Sequence, residues 1–185
     1  GVLNLVAVNA VVVLGLNLFI GYAGQISLGH AAFFGLGAYG SGVLTTAWGV
    51  PPLLALPVTA AGVALTALVV GVPTLRLSGH YLAMATLGLN IVVHHVFVDW
   101  DRVTGGPSGL TGIPSFGVQG VTLHGETRQY YLLWGAAMVA LTLSVNFVRS
   151  GLGRGLAALA EDEVAAAAMG VDVRRGKIAV FTTSA

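Results

Sequence analysis

The sequence predicts an all-α, polytopic transmembrane helical bundle, and three observations predict it. Of 185 residues, 56% are hydrophobic and only 8% charged, against about 25% charged in an average soluble domain. The first charged residue is Arg76, so 75 residues pass without Asp, Glu, Lys or Arg; a soluble fold cannot cover its surface that way. The apolar residues come in runs of about 20, the length that crosses ~30 Å of hydrocarbon as a helix. These continuous runs, rich in Ala and Leu, do not fit the ~10-residue alternating strands of a membrane barrel.

Taken in order, the expected spans are residues 1–20, 28–48, 52–72, 78–98 and 130–148, with another starting at Ile178. Together they form one transmembrane domain over 1–185. The chain opens and closes inside apolar runs, as expected of a fragment truncated at both ends. Pro51-Pro52 and Pro73 mark tight turns, and 99–129 is a polar, glycine-rich loop containing Asp99, Asp101, Arg102, Glu126 and Arg128. Segment 149–177 holds five of the eight basic residues: Arg149, Arg154, Arg174, Arg175 and Lys177. Positive charge marks the cytoplasmic side, so 149–177 is expected inside and 99–129 outside. Alternation then places Arg76 inside as well, consistently.

Composition narrows function. The absence of cysteine removes disulfides, thiolate metal sites and thiol nucleophiles. A net charge of +1 argues against nucleic acid as a partner, because an electrostatic footprint needs a basic face. The 27 glycines are roughly twice the usual ~7% and sit among Leu, Ala, Val and Phe. Pairs four apart, such as Ala31/Gly35, Gly37/Ser41 and Ala38/Gly42, therefore read as faces for close helix packing.

Several motif matches fail on context. Gly35-Leu36-Gly37-Ala38-Tyr39-Gly40 fits a dinucleotide fingerprint but lacks the strand and βαβ unit that fingerprint needs. Gly176-Lys177 would end a phosphate-binding loop only with glycine at Val171 and a hydroxyl residue at Ile178. Gly106-Pro107-Ser108-Gly109 matches intramembrane serine proteases, but the serine falls in a polar loop and no histidine follows in 130–148. Neighbouring His94 and His95 project about 100° apart on a helix, which suits the polar end of a span better than a metal site.

Two features call for more than packing. The first is Gly21-Tyr22-Ala23-Gly24-Gln25-Ile26-Ser27-Leu28-Gly29-His30, a polar interruption of a long apolar stretch; it reads either as a short turn or as a broken helix lining a cavity. The second is Leu152 to Lys177, expected to form its own helix. Leu156, Leu159 and Val164 would give its apolar side, Glu161, Asp162 and Glu163 an acidic cluster, and Gly170 its C-terminal cap, with Arg174, Arg175 and Lys177 beyond. Such a helix across the mouth of a bundle suits docking of a partner.

Gly21-Tyr22-Ala23-Gly24-Gln25-Ile26-Ser27-Leu28-Gly29-His30-Ala31-Ala32-Phe33-Phe34-Gly35, Leu75-Arg76-Leu77-Ser78-Gly79-His80-Tyr81-Leu82-Ala83-Met84-Ala85-Thr86-Leu87-Gly88, Thr104-Gly105-Gly106-Pro107-Ser108-Gly109-Leu110-Thr111-Gly112-Ile113-Pro114 and Glu161 to Val171 are four blocks in order along the chain. They resemble permease subunits of branched-chain amino acid ABC transporters, the LivH/LivM family, and most closely its LivM members. The resemblance covers essentially the whole chain and implies a multi-pass protein of the prokaryotic inner membrane. It also implies a second permease subunit, two cytoplasmic ATPase subunits that bind the ATP, and a periplasmic or lipid-anchored substrate-binding protein. No cofactor and no catalysis are expected in this chain itself.

By the same resemblance Glu161, Asp162, Glu163, Ala165, Ala166 and Gly170 belong to the loop that docks on the ATPase; family members often carry a basic residue where this chain has Ala160. The polar residues expected nearest the solute path are Gln25, Ser27, His30, Ser78, His80 and Asn90, since a zwitterion needs dipoles rather than fixed charges. A passive channel and an intramembrane serine protease using Ser108 are the competing readings.

Overall fold

The computed structural model describes residues 1–77, 79–113, 117–118, 121–122 and 126–185. Helix α1 (Val2–Leu16) passes into a π-helical turn, Asn17–Tyr22. After a non-helical link come α2 (His30–Thr46), α3 (Pro52–Thr74), α4 (His80–Asp99) and the short α5 (Asp101–Thr104). Then follow a 3-10 turn (Gly106–Ser108), a two-residue antiparallel pairing of Gly117–Val118 with Val121–Thr122, and α6 (Glu126–Arg149). Helices α7 (Gly151–Glu161), α8 (Glu163–Ala168) and α9 (Val173–Ser184) complete the chain.

Among the described residues, four helices are long and apolar enough to cross a membrane: Val2–Tyr22, α3, α4 and α6. At 17 residues, α2 reaches only about 25 Å at 1.5 Å per residue. Many large apolar side chains on these helices, such as Leu5, Leu54, Val69 and Leu143, lie exposed, as lipid-facing positions do. Helix α3 carries Pro73 inside its last turn and continues to Thr74, so the chain turns after this proline rather than at it. The helix begun at Val173 starts five residues ahead of the expected Ile178 and takes Lys177 into it.

Helices α1 and α6 run parallel. The Gly1 amino group meets Glu126 Oε1 at 3.3 Å at one end, and Asn17 and Tyr22 share a cleft with Val148 and Arg149 at the other. Helix α2 is antiparallel to α3, with Gly40 against Thr59, and parallel to α4. A Cβ on Gly35 would stand 2.7 Å from the Phe97 ring, and Tyr39 stacks on that ring at 4.5 Å. Missing side chains thus let aromatic rings fill the space between helices.

Helix α9 enters the middle of this arrangement. Phe181, fully buried, meets Phe19 edge-on at 5.3 Å and Phe33 at 5.4 Å. The three rings form the centre of an apolar core that also takes in Leu82, Leu156, Leu159 and Val180. A Cβ on Gly15 would come 2.6 Å from the Ser184 carbonyl oxygen, so α1 and α9 approach backbone to backbone.

Candidate functional site

The site is built where the link after the π turn meets α7, α8 and α9. Ser150 starts α7 by accepting the Gly153 N–H at 3.3 Å, and Leu156 and Leu159 fasten the helix to the core. The single helix expected from Leu152 to Gly170 is divided at Asp162, whose backbone is extended (φ −156°, ψ 114°). Its carboxylate accepts the N–H groups of Val164 at 2.8 Å and Ala165 at 3.1 Å. An Asp in this position satisfies the first donors of a new helix better than it continues an old one. The division resets the helical phase: Val164, expected beside Leu156 and Leu159, is 80% exposed.

Helix α8 ends as the sequence suggests. Gly170 adopts φ +87°, its N–H bonds to the Ala167 carbonyl at 3.0 Å and that of Val171 to the Ala166 carbonyl at 3.1 Å. This is the paired-bond helix stop that requires a left-handed residue. Of the six residues expected to dock a partner, Glu161, Asp162, Ala165 and Gly170 are exposed, Glu163 is partly covered and Ala166 is buried in the core. Met169 is a second exposed apolar side chain at the end of α8.

The link from Gly24 to Gly29 is non-helical, with Gly24 left-handed at φ +62° and a bend at Leu28. Gln25 and Ser27 are buried while Ile26 and Leu28 are exposed, the two-residue alternation of extended chain. Three of its backbone N–H groups find acceptors. The Gln25 N–H donates to the Phe19 carbonyl at 3.2 Å, Gly29 N–H to Ser27 Oγ at 3.2 Å, and Leu28 N–H to Thr86 Oγ1 at 3.0 Å. Buried backbone donors need such partners wherever a helix is interrupted at depth.

The link and the start of α8 meet at one carboxylate. Gln25 Nε2 donates to Glu163 Oε1 at 3.1 Å, and the Lys177 ammonium pairs with the same oxygen. The Lys177 side chain is only 6% exposed. This corrects the expectation that Lys177 belongs with Arg174 and Arg175 in a basic cluster beyond the cap: those two arginines lie exposed, while Lys177 faces inward from α9. A buried ammonium is retained where a carboxylate neutralises it.

Of the expected path residues, the structure gathers Gln25, Ser27 and His30 in and beside the link, all buried. His30 opens α2 with its ring 6.2 Å from that of Phe19. Asn90 lies one turn beyond Thr86 on α4 and is half-buried, His80 is exposed at the start of α4, and Ser78 lies outside the described residues. Thr86 is 1% exposed and was not singled out in the sequence, because a threonine inside an apolar helix ordinarily bonds its own preceding turn. It does so here, to the Leu82 and Ala83 carbonyls at 3.0 Å, and accepts Leu28 in addition. Separately, α2, α3 and α9 enclose a cleft of about 520 Å³ lined by Phe33, Gly37, Ser41, Thr59 and Thr182 among others. Ser108 is exposed on its 3-10 turn, and among the described residues no histidine hydrogen-bonds to it.

Comparison with known proteins identifies the family. The family model described as "Branched-chain amino acid transport system / permease component" matches residues 1–185. The chain is 33% identical over 195 residues to the high-affinity branched-chain amino acid transport system permease protein LivM of Escherichia coli (strain K12), a match covering 93% of this chain and 46% of that protein. The corresponding LivM of Salmonella typhimurium (strain LT2) is 32% identical with the same coverage. The chain thus spans about half the length of the curated relatives it matches. No solved structure matches significantly. With a membrane-length helical bundle, an interrupted polar link and a family match over every residue, this chain belongs to the branched-chain amino acid transport system permease family.

Proposed function

We propose that the chain is the membrane-spanning part of an ATP-binding cassette importer that moves a branched-chain or related amino acid across a prokaryotic inner membrane. The observation that carries this reading is the α7–α8 segment. It is anchored by Leu156, Leu159 and Ala166 yet turns Glu161, Val164, Ala165 and Met169 outward. Exposed apolar side chains flanked by acids, on short capped helices beyond the end of a membrane span, form a small surface for a partner. The partner is a cytoplasmic ATPase pair that binds the ATP; this chain carries no cofactor. A second permease subunit completes the path, and a periplasmic or lipid-anchored protein delivers the solute.

The path itself runs near Gln25, Ser27, His30, Ser78, His80 and Asn90, where neutral dipoles replace the water lost by a zwitterion. Direct ATPase contact falls to Glu161, Ala165 and the residues around Gly170, with Asp162 shaping the surface through its cap. The intact permease, reconstituted with its ATPases and binding protein, is expected to accumulate leucine only with hydrolysable ATP. Val164→Asp with Met169→Asp is expected to reduce co-purification of the ATPases at least about ten-fold, the scale of losing one well-packed interface contact. Leucine flux that persists without ATP would establish a channel instead, and undiminished ATPase retention would remove α8 from the docking surface.

A further inference from the structure

Glu163 opens the segment proposed to dock on the ATPase, yet its Oε1 is occupied from within the chain. One partner is the almost fully buried Lys177 of α9, the other the buried amide of Gln25. Removing the Glu163 carboxylate would leave the buried Lys177 ammonium uncompensated, so α8 and α9 are held to one another at this point. Gln25 then ties the pair to the non-helical link. That link has no helix of its own to stiffen it, and its other hydrogen bonds to the rest of the fold run to Phe19 at the π turn and to Thr86 on α4. Gly24 also packs on Ala160 of α7, where an added Cβ would stand 3.2 Å from Cα. A shift of α7–α8 therefore meets the link at two successive residues, and the link meets α4 three residues later.

We propose that Glu163 works inward: its carboxylate, shared by Lys177 and Gln25, is the joint that carries displacement of α7–α8 to the link 24–29 and on to Thr86. Lys177 and Gln25 are positioning residues for transport, and Glu163 contributes through them rather than by gripping the ATPase. The assignment rests on the docking role given above to α7–α8. It deepens that role by naming the contacts through which docking reaches the path.

The test uses the intact permease assembled with its partner permease, ATPases and binding protein in proteoliposomes, comparing Gln25→Ala, Lys177→Gln and Lys177→Arg. Gln25→Ala is expected to keep ATPase association and hydrolysis while leucine taken up per ATP falls at least about five-fold, the low end of measured site-to-site coupling. Lys177→Gln is expected to do the same, and Lys177→Arg, which keeps the charge, to recover most of the loss. Hydrogen exchange provides a readout independent of transport: amides 25–29 are expected to lose protection in Gln25→Ala while those of α6 do not. Unchanged uptake per ATP in Gln25→Ala overturns the joint, as does unchanged exchange in the link. If the wild-type complex shows no ATP-driven uptake, the importer reading fails, and exchange in the link still decides for or against the joint.

Discussion

Gly24 lies against Ala160 with φ +62°, so close that a Cβ on Gly24 would stand 3.2 Å from the Ala160 Cα and 3.3 Å from its Cβ. The contact joins residues 136 positions apart and needs both to be small. It also gives a local reason for alanine, rather than a long basic side chain, immediately before the acidic cluster. Gly24→Ala introduces a left-handed non-glycine residue as well as this contact, and the conformation alone costs about 1–2 kcal/mol. The unfolding midpoint of the intact protein in detergent is expected to fall accordingly; a wild-type midpoint would mean the link relaxes away from α7.

Thr86 supplies the second fastening of the link. Thr86→Val keeps the shape but leaves the Leu28 N–H, part-buried in this contact, without its acceptor, a loss of about 1 kcal/mol. Thr86→Ser keeps the hydroxyl and is expected to retain most of the stability. Exchange at the Leu28 amide distinguishes them: it should accelerate in the valine variant and stay near wild type in the serine variant.

Asp162 divides α7 from α8 through its cap on Val164 and Ala165. Asp162→Ala removes the cap at a cost of about 1 kcal/mol, and Asp162→Asn should restore most of it. The expected signature is faster exchange at Val164 and Ala165 with α7 unchanged. Equal protection in all three proteins would show that packing of Ala166, not the cap, sets the break.

Orientation is open to chemical labelling, because this chain contains no cysteine. Ser108→Cys and Ala167→Cys place single thiols at exposed positions on the 3-10 turn and on α8. In intact cells, with cysteines elsewhere in the full protein removed, an impermeant maleimide is expected to label the first and not the second. Labelling of Ala167→Cys from outside would invert the topology and remove α8 from reach of a cytoplasmic ATPase.

Much of the architecture was legible in the residues. Runs such as Pro52–Thr74 declare a membrane helix locally, because length and apolarity are properties of consecutive residues and lipid allows little else. Gly170 was legible as a helix stop for the same reason. The division at Asp162 was less so, since the acidic triplet followed by alanines reads as continuous helix unless the capping bonds are seen. The register of the exposed face failed with it, and Val164 moved from the apolar side to the surface.

Composition and short-range spacing encode a helical membrane bundle with a polar interruption near residue 25 and an acidic, alanine-rich segment near 163. That these two features touch emerges only from how the helices pack. Gln25 and Glu163 are 138 residues apart, and Lys177 is drawn inward by α9 rather than left among the surface arginines. The reason is physical: hydropathy is additive along the chain, whereas the partner of a buried charge is chosen by how helices pack, and packing depends on every intervening turn.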